Sequence, residues 1–149
     1  MYLRFAFEGD LHRTLEFIPI AVRRKLDLAG LKLSLAAWNR FTRAEKLAVC
    51  HLPVDGEGDL EVYREALTGF AARAGEPVAE LPEGPLHPRS WRELPPSLEG
   101  RIDPGRWSQL SDEARYVVVK LTDPRKRKEK LEWALRELGL SEPGREDAT

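Results

Sequence analysis

The chain has 149 residues, 42% of them apolar and 33% charged, with 24 basic and 25 acidic side chains for a net charge of −1. That length buries a real core and that composition excludes wholesale disorder, while the balanced charge argues against a general attraction to nucleic acid or anionic membrane. No apolar run approaches a membrane span, Cys50 has no second cysteine to pair with, and residues 1–10 lack a secretory pattern, so a cytoplasmic location is expected.

Residues 2–8 alternate, placing Leu3, Phe5 and Phe7 on one face of an extended arm that is too short to make a sheet alone. Pro19 opens the first clear helix, which runs to Ala29 and stops at Gly30. Val22, Leu26 and Ala29 line one side of it; Arg23, Arg24 and Asp27 lie opposite. Ser34 caps a short helix bearing Leu35 and Trp38, and Thr42-Arg43-Ala44-Glu45 is a capping box that begins another, ending before Pro53. Asp59 is expected to cap the most amphipathic helix, carried by Leu60, Tyr63, Leu67, Phe70, Ala71 and Ala74 and closed by Gly75.

Four prolines (77, 82, 85 and 88) make 76–90 a loop or linker. Helices then follow Asp103-Pro104 and Ser111-Asp112-Glu113, and a last one spans 126–138 before Gly139. An ungapped repeat sets Trp38, Thr42, Lys46, Val49 and Leu52 on Trp107, Ser111, Arg115, Val118 and Leu121. It decides an ambiguity. Tyr116-Val117-Val118-Val119 alone reads as a strand, but its aligned partner follows a capping box, so both copies are expected to be helical. The fold class expected is all-α. One domain over 1–140 would hold six to seven short helices, with halves at 19–74 and 91–140, two related Trp-containing helical pairs, the 2–8 arm, and a frayed tail at 141–149.

Motifs for chemistry are absent from the sequence. His12, His51 and His87 have no metal-ligand spacing, and no phosphate-binding glycine loop or nucleophile elbow occurs. The acids of Asp55-Gly56-Glu57-Gly58-Asp59 start like a calcium loop, but Leu60 and Ala66 occupy the positions that need Gly and Glu. Cys50, among Leu47, Ala48 and Val49, reads as a core residue. No catalytic residue, cofactor or metal is therefore expected, and the chain reads as a non-enzyme. The basic run at 125–130 offers the alternative of a nucleic-acid-binding regulator through phosphate contacts. Trp38 and Trp107 read as core residues. Trp133 falls about 200° from Leu131 on the last helix, on its wet face, and is either a candidate partner anchor or a ring covered by the 2–8 arm or the proline loop.

Phe5-Ala6-Phe7-Glu8, the run Ile18-Pro19-Ile20-Ala21-Val22-Arg23-Arg24-Lys25-Leu26-Asp27, and Gly30-Leu31-Lys32-Leu33-Ser34-Leu35 with Trp38 together resemble the nitrate reductase-associated protein family, as do Trp107 and the Leu138-Gly139-Leu140 ending. The resemblance implies an accessory protein that helps a molybdenum-dependent assimilatory nitrate reductase become or remain active, with that enzyme or its cofactor-loading machinery as partner. It implies no catalytic residues. Phe17 stands where family members tend to have Cys, and the segment from Pro95 to Trp107 is shorter than usual. Packing gives no evident reason for the charges at Arg23, Lys25 and Asp27, read as lying on the solvent face of the first helix, or at Lys32 just beyond it. With Phe7, Glu8 and Trp133 they form the expected partner-binding set, Arg23 reaching a carboxylate on the partner.

Overall fold

Local chemistry sets most helix ends in the computed structural model, which describes residues 4–9, 11–87, 91–125 and 128–140, the Phe7 side chain excepted. Ser34, Thr42, Asp103 and Ser111 each accept a backbone N–H three residues on, the N-cap bond that satisfies an otherwise orphaned donor and contributes about 1 kcal/mol. Thr42 and Glu45 complete the capping box in both directions. The helices so defined are α1 (Leu11–Thr14), α2 (Ile20–Ala29), α3 (Leu35–Arg40), α4 (Arg43–His51), α5 (Glu57–Ala74), α6 (Pro104–Gln109), α7 (Asp112–Leu121) and α8 (Lys128–Glu137). The fold is all-α, with only β1 (Leu31–Lys32) paired antiparallel to β2 (Ala79–Glu80) among the described residues.

Contacts divide the chain into two compact units, one holding 8–87 and the other 91–140 with Phe5–Phe7. In the first unit α5 packs against α2, α3 and α4, and Trp38, Val22, Val49, Tyr63 and Leu67 are almost wholly buried. Phe41 links Trp38 to Phe70 through ring contacts at 6.2 and 5.9 Å. In the second, α7 packs on α8 around Leu98, Ile102, Trp107, Val118, Leu135 and Leu140. Trp91 is buried there too, edge-on to Tyr116 at 4.9 Å with its indole N–H on the Asp112 carboxylate.

The repeat is visible in the backbone. The turn residues Phe41 and Leu110 have φ/ψ of −70/146° and −69/150°, and the following caps Thr42 and Ser111 have −68/162° and −65/159°. Each unit therefore carries one short Trp-bearing helix followed by a longer one. Tyr116 to Val119 lie in α7: the Ser111 cap and a face buried against the core outweigh β-branched propensity.

Three expectations change. Residues 6–8, taken as part of an extended arm, form one turn of 3-10 helix, and Phe5 is buried at its start. Burial of one ring and a bond from the Ala6 N–H to Glu137 at 3.0 Å do not need a strand; Tyr2 and Leu3 lie outside the described residues. Helix α1 has no counterpart in the sequence reading, being a single turn too short for periodicity to reveal. Leu15, which follows it, is fully buried with φ of 53°, a strained value for a residue with a Cβ. Finally, α5 begins at Glu57 after Gly56, so Asp59 sits in the first turn, where its charge favours the helix dipole without capping it.

The proline loop is not a free linker up to residue 87. Leu81 and Leu86 donate to the carbonyls of Gly30 and Asp27, both at 2.9 Å, and the ring of Pro85 stands where any Cβ at position 30 would fall, 2.8 Å away. Gly30 is thus required twice, for its φ of 74° and for that contact. The rest of the 76–90 stretch, and the tail at 141–149, lie outside the described residues.

Candidate functional site

Helix α2 shows which of the expected partner-binding residues face solvent. Lys25 does not. It is 8% exposed, and its Nζ donates to the carbonyls of Cys50 and Leu52, each at 2.6 Å. Those carbonyls end α4, where backbone acceptors lack helical partners and the dipole is negative, so the ammonium serves as the C-terminal clamp of that helix. This corrects the placement of Lys25 on the solvent face, and its spacing held the clue: residues 22, 25, 26 and 29 share one stripe of a helix. Arg24 is likewise buried, at 9% exposure. Arg23 and Lys32 are exposed and Asp27 is half-buried.

Glu8 is also committed internally. One carboxylate oxygen lies 2.7 Å from His12 Nε2, and the other accepts the Ile20 N–H at 3.1 Å. Pro19, which precedes α2, has no side-chain cap to give, so Glu8 supplies the negative group at that N-terminus from twelve residues away. Its side chain is 6% exposed, which removes it from a solvent-facing arm. The Phe7 side chain lies outside the described residues.

Other polar groups tie the first unit together. Arg64 Nε donates to Ala29 O at 2.8 Å at the end of α2. The Leu15 carbonyl takes both Trp38 Nε1, at 2.8 Å, and Lys46 Nζ, at 2.9 Å, holding the strained turn in place. Tyr63 donates to Val49 O at 3.0 Å; burial, with Cys50 nearby, pushes its hydroxyl far above the ordinary tyrosine range. His51 is pushed below its ordinary value by burial first and then by neighbouring positive charge, including Lys25 and Arg4.

In the second unit Trp133 is 40% exposed, while Trp91 and Trp107 are 2% exposed. Of the basic run at 125–130, Lys126 and Arg127 lie outside the described residues, and the Arg125 guanidinium folds back onto Asp123 at 2.8 Å. An open cleft of about 440 Å³ is lined by Leu94, Ile102 and Leu140 with Arg101 and Arg106. Both arginines are bonded, Arg101 to Glu132 at 3.0 Å and Arg106 to the Gly139 carbonyl. Among the described residues no cluster of three or more His, Cys, Asp or Glu could hold a metal ion, and no helix is long and apolar enough to cross a membrane.

A family described as conserved nitrate reductase-associated protein matches residues 4–138. No curated protein and no solved structure matches.

Proposed function

The chain belongs to the conserved nitrate reductase-associated protein family, and from that premise we propose that it is a non-enzymatic accessory protein acting by protein–protein binding. Its client is a molybdenum-dependent assimilatory nitrate reductase or the machinery that loads that enzyme's cofactor. The observation that carries this reading is the match over residues 4–138, to a family named for an association and not for a reaction. The geometry supports it in one respect. Glu8 and Lys25 are engaged within the fold, which leaves Arg23, Lys32 and Trp133 as the exposed members of the expected partner-binding set. Work in the cytoplasm, beside an assimilatory enzyme, belongs to the same proposal.

The test is genetic and biochemical together. Deleting the gene is expected to lower nitrate reductase activity per amount of reductase protein and to slow growth on nitrate but not on ammonium, with both restored by the intact gene. Unchanged activity and growth, with no reductase recovered alongside the tagged protein, would overturn the accessory role.

A further inference from the structure

Helix α8 buries Ala134 and Leu135, with Leu131 and Leu138 partly covered against the core of the second unit. Trp133 points away from that stripe. Helical spacing sets Glu129, Lys130, Arg136 and Glu137 around it, at three and four residues to either side. The acids of α8 are engaged within the chain. Glu137 accepts the Ala6 N–H at 3.0 Å, Glu132 pairs with Arg101 at 3.0 Å, and Glu129 is engaged as well. The two cations are not: the side chains of Lys130 and Arg136 are exposed and make no hydrogen bond or ion pair among the described residues. An indole therefore stands in the surface with an exposed cation about 4.5 Å up and down the helix axis from it.

We infer that the Lys130–Trp133–Arg136 face of α8 is the docking surface for the client protein, and that it fits an apolar pocket bordered by carboxylates. The inference rests on the accessory reading and names the contact. The indole fills the pocket and gains by losing water on its exposed part, the usual role of a tryptophan that dominates an interface. Arg136 can hold a carboxylate through two parallel N–H bonds, and Lys130 offers a point charge on the other side. A single aromatic flanked by two cations is too small a platform for a nucleic-acid strand, which requires successive stacking rings and a longer basic track.

The probe is purified assimilatory nitrate reductase from the source cells, immobilised, with the full chain as analyte. Trp133→Ala is expected to weaken binding on the order of tenfold or more, mainly through faster dissociation. Lys130→Glu with Arg136→Glu is expected to weaken it comparably through slower association, and to flatten the salt dependence between about 50 and about 300 mM. Glu61→Lys, a charge reversal at an exposed position of α5, should leave it unchanged. Each variant is checked for native circular dichroism and melting, and the charge reversal, wholly on the surface, stands if Trp133→Ala misfolds. Equal binding by wild type and the α8 variants, or loss with Glu61→Lys alone, overturns this surface and leaves the accessory role standing. No binding by the wild-type chain overturns both, as does binding to RNA or DNA in place of the reductase.

Discussion

In the first unit the Leu15 carbonyl receives two donors, the indole of Trp38 and the ammonium of Lys46, whose charge also lies 5.6 Å from the Trp38 ring. In the second, the Arg92 carbonyl receives the indole of Trp107 at 2.8 Å. Arg115, which occupies the repeat position of Lys46, leaves its Nε buried with no hydrogen-bond partner among the described residues. The nearest acid on its own helix at a bonding interval is Asp112, three residues back, and that carboxylate is held by Trp91. Two copies of one backbone motif, alike to within a few degrees at their turns, therefore differ in how their second cation is used: Lys46 bonds the carbonyl that Trp38 also bonds, and Arg115 leaves its Nε without a hydrogen bond. The lesson is that capping chemistry conserves the turn, whereas the use of a side chain depends on which segment lies over it.

The largest expected effect tests the shared part of that comparison. Trp38→Ala and Trp107→Ala should each destabilise by about 3–5 kcal/mol in denaturant melts, because each removes a buried indole and leaves a void. Next comes the part that differs. In a double-mutant cycle, Trp38→Phe and Lys46→Met should be coupled by about 0.5–1.5 kcal/mol, since both donate to one carbonyl, while Trp107→Phe and Arg115→Met should add independently. Equal coupling in the two units would show that Arg115 acts as Lys46 does. Taken singly, Lys46→Met should cost about 1 kcal/mol, and Arg115→Met should be neutral or slightly stabilising, because it deletes an unsatisfied buried donor.

The smallest effect is a pH dependence confined to the first unit. The folded protein lowers the pKa of His51 below its ordinary value of 6.5, chiefly by burial. The unfolded chain therefore binds the proton more readily, and this contribution to stability is present above about pH 6.5 and lost as pH falls from there towards the folded value. His51→Gln should flatten the stability profile slightly on the acid side; an unchanged profile would assign the acid sensitivity to other groups.

Much of the fold was legible because it is written in local rules. Ser34, Thr42, Asp103 and Ser111 announce helix starts through side chains that bond within three residues, and Gly30 and Gly75 announce stops through a backbone angle few other residues accept. The repeat was legible for the same reason, and it correctly overrode the strand propensity of Tyr116 to Val119. The angle of Trp133 to Leu131 set it off the buried stripe of its helix, whereas its 40% exposure was decided only by the tertiary structure.

The sequence by itself thus determined the all-α class, most helix boundaries, the two Trp modules and the family. Only the tertiary structure decided which charges belong to the fold. Lys25 lies on the buried stripe of α2 because the end of α4, twenty-five residues on, presents carbonyls there, and Glu8 faces inward because the start of α2 lacks a cap of its own. A helix end creates a demand for charge that any distant segment can meet. Caps within three residues can be read from the chain, whereas a clamp from twelve or twenty-five residues away depends on where packing brings the two segments together.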